Sequence, residues 1–213
     1  IFHFGYVLSY GVMTAFNSAV FLLVPKVLRQ FSRKSQDVDL MLNQTSLVEN
    51  TVVLIAVISI TLFPFIINTF VPQYFKSILV MQLLLLAYTI NSLSFLPGNH
   101  LIANGLQLKV VPVFVLALVA AIVMNYLSIT LGYGLYGIAL ATIFTFSIYS
   151  FGTFWVYLLA VNSKKPLSFL LNIFWRILVF TFLTTIFLFN DLNPLWVLIL
   201  YLIFYGVEAV TLI

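Results

Sequence analysis

Six residues could build a polar site in this otherwise apolar chain: His3, Asn17, Asn91, Asn99, His100 and Asn104. Amides and imidazoles both donate and accept hydrogen bonds, and at membrane depth such groups must find an internal partner or water. His100 and Asn104 stand four apart, on one face of a helix, with Asn99 beside them. Two roles are open to these six residues: bonding a neighbouring helix, or lining a polar cavity. Asn125, in the middle of an apolar run, fits the first. Asp37-Val38-Asp39 has the paired carboxylates that suit a hard divalent ion, as in many glycosyltransferases. It stands in a short basic loop with no catalytic domain around it, and reads as a solvated loop that partly balances Arg33 and Lys34. Asn43-Gln44-Thr45 is a glycosylation sequon. The sequence holds no Ser-His-Asp set, metal-ligand cluster or phosphate loop, so nothing supports an enzyme and no cofactor or metal is expected. Glu49 and Glu208 are placed towards the cytoplasmic ends of their spans and Asp191 in a turn, which leaves no carboxylate inside the membrane for a proton relay.

The elements that must position these residues follow from composition. Of 213 residues, 63% are hydrophobic and 7% charged, and the mean hydropathy is +1.19. A soluble domain carries roughly 25% charged residues. The apolar runs reach the length of about 20 residues needed to cross a hydrocarbon layer. The chain therefore reads as an all-α integral membrane protein. Cysteine is absent, which excludes disulfides and thiolate metal sites. The net charge of +4 lies in short loops between apolar runs, where orientation in the bilayer accounts for it and nucleic acid does not.

About seven spans are predicted, at residues 4–28, 47–71, 78–106, 110–131, 137–160, 169–189 and 194–213. In the first, Gly11, Ala15 and Ala19 recur every fourth residue and predict a face for close helix approach. Gly137, Ala141 and Thr145 make a second such stripe. Pro64 lies inside the second span, and Pro97-Gly98 predicts a kink in the third. Asn125 to Phe144, with Gly132, Gly134 and Gly137, is a sharp turn between two apolar runs. Placing loops 29–46, 107–110 and 161–168 on one side collects Lys26, Arg29, Arg33, Lys34, Lys109, Lys164, Lys165 and Arg176 there, and leaves Lys76 on the other. The positive-inside rule makes those loops cytoplasmic and the turn 132–137 external. An odd number of spans with an external start at Ile1 reads as a chain cut between two spans.

With that topology, Asn125 and Gly132-Tyr133-Gly134-Leu135-Tyr136-Gly137-Ile138-Ala139-Leu140-Ala141-Thr142 resemble the "N-x-x-L, then Y-G-x-x-G-x-A-x-A-T" signature of prokaryotic polysaccharide exporters. These are the O-antigen and teichoic-acid flippases, which belong with lipid II flippases and multidrug exporters of the MATE type. Val24-Pro25-Lys26 resembles the family's "FP-x-hydrophobic-S-R" helix ending, Pro72-Gln73-Tyr74-Phe75 its short outer turn and Ala103-Asn104-Gly105 a small-residue inner end. The resemblance implies most of the C-terminal bundle of a two-bundle flippase in the plasma membrane of a bacterium or archaeon, with the N-terminal bundle missing. It also implies alternating-access movement of a lipid-linked oligosaccharide, with the bilayer as surroundings. The family often lines its cavity with buried Arg or Lys. This chain offers amides and histidines instead, so His3, Asn17, Asn91, Asn99, His100 and Asn104 are the expected cavity residues. The rivals are a cation-coupled multidrug exporter of the same fold, a membrane-embedded glycan polymerase or glycosyltransferase, and a non-transporting scaffold.

Overall fold

The computed structural model describes residues 3–15, 18 and 38–161, with Leu171, Phe174, Trp175, Val179, Thr184 and Ile199. The described residues form helices and no strand. A helix over 3–15 (α1) is followed by α2 (Val38–Phe70), a 3₁₀ turn (Pro72–Ser77), α3 (Ile78–Ser92), α4 (Phe95–Ala103), a second 3₁₀ turn (Gln107–Val110), α5 (Val111–Thr130) and α6 (Gly134–Ala160). Four helical stretches are long and apolar enough to cross a membrane: Gln44–Phe70, Pro72–Ala103, Gln107–Thr130 and Gly134–Ala160. Apart from those single residues, the expected spans over 169–189 and 194–213 lie outside the described residues, as do the first span beyond residue 15 (Ser18 excepted), with Ala19 and Val24-Pro25-Lys26, residues 29–37 of the first loop, and the loop 161–168 beyond its first residue.

Helix α3 packs against both α2 and α6, and α5 packs against α6. The buried residues of α3 include Met81, Leu85 and Ile90, which meet Val53, Ala56 and Ile60 of α2 and Phe154 and Leu158 of α6 in one core. The periphery is the reverse. Of α5, Ala117 alone is buried, and Phe114, Leu116, Ile122, Tyr126 and Ile129 are all more than half exposed. An exposed apolar surface of that extent is a binding face or a lipid face.

Two turns reverse the chain by the same device. After α5, Gly132 has φ +78°; the Gly132 N–H donates to the Ile129 carbonyl at 3.2 Å and the Tyr133 N–H to that of Ser128 at 3.0 Å. After α4, Gly105 has φ +69°, with Gly105 N–H to Ile102 at 3.0 Å and Leu106 N–H to Leu101 at 2.8 Å. Both are Schellman closures, in which a glycine accepts the left-handed conformation that caps the last carbonyls. These turns mark the two ends of the bundle, called here the Gly132 end and the Lys109 end.

Several boundaries differ from the expectation. Residues 38–46, expected as loop, are the first turns of α2: no glycine or proline interrupts the sequence there, and polar residues are tolerated where a helix leaves an apolar layer. Val38 and Asp39 of the DxD motif and the whole sequon therefore lie in helix, Asp37 being outside the described residues, and Thr45 is 2% exposed. The turn expected at 132–137 is shorter, because α6 begins at Gly134. The span expected over 78–106 ends at Ala103 and is divided at Leu93–Ser94. Pro97 has no N–H for the Leu93 carbonyl, so the helix breaks one turn before it. Pro64 does not break α2, and its consequence is met from outside: the carbonyl of Ile60, four residues back, accepts a bond from Gln82 Nε2 of α3 at 3.3 Å.

The small-residue face of α1 is not the expected one. Gly11 and Ala15 are exposed, and a Cβ on Gly11 would meet nothing within 4 Å. The packed face is Gly5, Ser9 and Met13. A Cβ on Gly5 would lie 3.1 Å from the Ser77 carbonyl oxygen, and Ser9 Oγ donates to Gly5 O at 2.7 Å and across to Met81 O at 3.0 Å. The second stripe does pack closely. A Cβ on Gly137 would come 2.7 Å from the Cβ atoms of Ser128 and Tyr133, so the backbone of α6 lies directly against the Ser128 side chain of α5 near the Gly132 end. Gly152 makes the matching approach to Val113 at the other end of the same helix pair.

Candidate functional site

Between the two close approaches of α6 to α5, the helices separate enough to leave a cavity of about 240 Å³. Asn91 of α3, Phe114, Ala117, Leu118 and Ala121 of α5, and Thr145, Phe146 and Tyr149 of α6 line it. The alanines of α5 create the space, and Gly137 and Gly152 hold the helix pair together on either side of it. The walls are largely apolar, with an amide, a hydroxyl and a phenol as polar groups. The hydroxyl is already engaged, since Thr145 Oγ1 donates to the Ala141 carbonyl at 2.8 Å. Asn91 and Tyr149 are thus the polar groups through which a bound molecule would be oriented.

One wall of the cavity continues as a line of aromatic rings. Phe146 lies 5.6 Å from Tyr88 of α3, Tyr88 lies 6.2 Å from Tyr10 of α1, and Tyr10 stacks on Tyr6 at 5.6 Å with 9° between the planes. Tyr6 and Tyr10 are 38% and 50% exposed. The line therefore leads from the apolar cavity to phenol-bearing rings near the start of α1. Each ring offers an apolar face and a hydroxyl at its edge, which suits a molecule that is apolar at one end and hydroxylated at the other.

The six residues expected at a site are dispersed. Asn91 alone reaches the cavity. His3 is exposed on the first turn of α1, and Asn17 lies outside the described residues. Asn99 Nδ2 donates to the Phe95 carbonyl at 2.7 Å and Asn104 Nδ2 to the His100 carbonyl at 2.8 Å, so both amides serve their own helix. His100 is half-buried and meets Tyr157 edge to face at 5.2 Å, joining α4 to α6. Asn125, expected to link helices, has a buried side-chain oxygen that bonds no protein group.

The sequence reading gave Thr145 to a packing stripe and named neither Phe146 nor the tyrosines, Tyr149 among them, as site residues. The spacing of Thr145 and Tyr149, four apart, and of Tyr6 and Tyr10, also four apart, was the available signal. What it lacked was the knowledge that α1, α3 and α6 adjoin. The burial of Glu49 was also passed over. Placed towards a span's end beside a loop, it is 1% exposed and sits three turns inside α2. Its position in a row with the buried Val52, Val53 and Ala56 could have been read from the sequence at helical period.

Among the described residues no group of three or more His, Asp or Glu could hold a metal ion. No protein-family model, no curated protein and no solved structure matches the chain.

Proposed function

We propose that this chain is part of an integral membrane translocator that carries lipid-linked oligosaccharide precursors across the plasma membrane by alternating access. The observation that carries the reading is the cavity among α3, α5 and α6 with its tyrosine line. An apolar pocket accepts the hydrocarbon part of a lipid carrier, and the adjoining phenols of Tyr88, Tyr10 and Tyr6 offer stacking faces and hydrogen bonds to a sugar head. The exposure of nearly all of α5 supports a helix bordered by lipid, or by a second helical bundle that completes the cavity. The resemblance of Asn125 to Thr142 to the polysaccharide-exporter signature points the same way. In this reading the chain crosses the membrane about seven times and forms most of one bundle of a two-bundle fold. The Lys109 end is cytoplasmic, with Lys26, Arg29, Arg33 and Lys34 before α2 on that side, and the Gly132 turn is external.

Translocation breaks no covalent bond, so the task of the protein is to bind one substrate in two orientations. Close helix contacts at Gly137 and Gly152 let α5 and α6 move as a pair. The break at Leu93–Ser94 lets α4 change its angle to α3. The reading is tested by deleting the gene and measuring which leaflet holds the polyprenyl-linked oligosaccharide. Accumulation on the inner leaflet is expected, with rescue by the native protein and not by Ala117→Trp, whose side chain fills the cavity. Normal export in a deletion strain with no second translocator overturns the reading.

A further inference from the structure

Along α6 the bonding of the hydroxyls changes. Thr142, Thr145 and Ser147 each donate to the carbonyl four residues back, a bond open to any serine or threonine in a helix. Ser150 and Thr153, towards the Lys109 end, are fully buried, and their hydroxyl oxygens bond no protein group. Helix α2 repeats the change. Ser59 and Thr61 bond their own helix, whereas nearer the Lys109 end the hydroxyls of Thr45 and Ser46 and the amide of half-buried Asn50 are shielded and bond no protein group. Glu49, between them in sequence, is engaged already. Polar groups left in that state are costly unless a second state gives them partners. Helix α4 packs against both α2 and α6. A Cβ on its Gly98 would lie 3.8 Å from the Thr153 methyl, and its His100 meets Tyr157 edge to face.

We infer that α4 is a hinged cover, closed in this structure, which swings about Leu93–Ser94 and lets water reach Ser150 and Thr153 of α6 and the polar residues of α2. The hinge supplies its own hydrogen bonds. Pro97 leaves the Leu93 carbonyl without a helical donor, while Ser92 Oγ donates to the Thr89 carbonyl at 2.7 Å and Ser94 Oγ to that of Asn91 at 2.7 Å. Both bonds lie within the turn, so a change of angle beyond it breaks neither. The contact that closes the cover on Thr153 is shallow, a glycine against a methyl. Two opposed terms set the balance. Leu96, Pro97 and Leu101 of α4 are buried and favour closing. The unbonded side chains of Thr45, Ser46, Asn50, Ser150 and Thr153 favour water. A nine-residue helix under such opposed terms has two accessible positions. The cover itself does not depend on translocation; its use as an opening for substrate rests on that reading.

The test uses purified full-length protein in lipid nanodiscs. This chain has no cysteine, so Ser46→Cys and Ser150→Cys, each a change of one atom, report on their own positions. A small, water-soluble methanethiosulfonate modifies a thiol where water reaches it, and mass spectrometry of the peptides locates the modification. Both positions are expected to be modified, and Thr89→Cys, fully buried on α3, is expected to stay unmodified. Adding Gly98→Cys with Thr153→Cys sets two thiols close enough for a disulfide that pins α4 to α6. Closing that disulfide is expected to slow modification at positions 46 and 150 by about tenfold or more, since the rate follows the open population, and reduction is expected to restore it. Should the combined variant fail to fold, Pro97→Ala decides: it returns an N–H to the Leu93 carbonyl, stiffens the hinge and is expected to slow modification of Ser150→Cys. The cover is overturned by folded protein in which neither position is modified, by equal rates with the disulfide closed and open, by no disulfide between positions 98 and 153, or by an unchanged rate in Pro97→Ala. A second arm measures flipping of a lipid-linked oligosaccharide in proteoliposomes. Modification that follows α4 with no flipping under any condition keeps the cover and rejects the translocation reading. Flipping with neither position modified does the opposite.

Discussion

The bond between Gln82 and Ile60 gives the sharpest test of how this bundle is held. Pro64 cannot donate to the Ile60 carbonyl, which is therefore left without its helical partner in the middle of a span, and Gln82 Nε2 reaches it from α3 at 3.3 Å. Gln82 is 5% exposed, so neither group has water to fall back on. Gln82→Leu keeps the volume and orphans the carbonyl. An unsatisfied buried acceptor costs about 1–3 kcal/mol, and the long distance places this bond towards the lower end, about 1–1.5 kcal/mol. Pro64→Ala alone restores the helical donor and orphans the Gln82 amide instead. The double variant Pro64→Ala/Gln82→Leu orphans neither group. It is thus expected to be more stable than the sum of the two single changes by about 1 kcal/mol or more, and the intrinsic helix preference of alanine over proline cancels in the cycle. The assay is equilibrium unfolding of the four proteins in mixed micelles, followed by circular dichroism. Additivity within about 0.5 kcal/mol would show that Gln82 does not serve the carbonyl freed by Pro64, and its burial in an apolar core would need a different cause.

Two further substitutions probe the helix contacts. Gly5→Val drives a side chain against the Ser77 carbonyl and the Met81 amide and is expected to cost about 1–3 kcal/mol of stability, as overpacking does, whereas Gly11→Val, with nothing within 4 Å, is expected to leave the unfolding midpoint unchanged. Equal effects from the two would return the packed face of α1 to the Gly11 side. At the turn between α5 and α6, Gly132 at φ +78° predicts the stability order Gly, then Asn, then Ala, with Gly132→Ala about 1–2 kcal/mol below the native protein; thermal unfolding in detergent gives the order, and an alanine variant as stable as native protein refutes the left-handed cap.

Long, uncharged apolar runs announce themselves, so α5 and α6 were legible from the sequence to within three residues. Capping glycines that can take a positive φ marked both chain reversals. Polar composition was a poorer guide, because it signals solvent only when nothing covers it. Residues 38–46 look like a loop by hydrophilicity, yet they contain no helix breaker, and Thr45, Ser46 and Glu49 lie under other elements. The same confusion promoted Asn99 and Asn104, whose amides are spent on their own helix. Small residues were equally ambiguous. Both Gly5-Ser9 and Gly11-Ala15 follow the spacing for close approach, and only the neighbour decides between them: the Ser77 carbonyl and the Met81 backbone stand beside Gly5.

This ambiguity bears on where function can sit in such a bundle. Where glycine lets a neighbouring side chain press on the helix backbone, as Ser128 does at Gly137 and Val113 at Gly152, no room is left for a ligand, and the contact fixes the helix pair as a unit. Where alanine replaces larger residues between two such contacts, as at Ala117 and Ala121, the same closeness opens a cavity that neither helix fills. The spacing of small residues along α5 and α6 therefore sets both the rigidity of the pair and the position of its cavity. Asn91 enters that cavity because α3 packs on α6, and Tyr88, one turn earlier on α3, joins it to the exposed rings of α1.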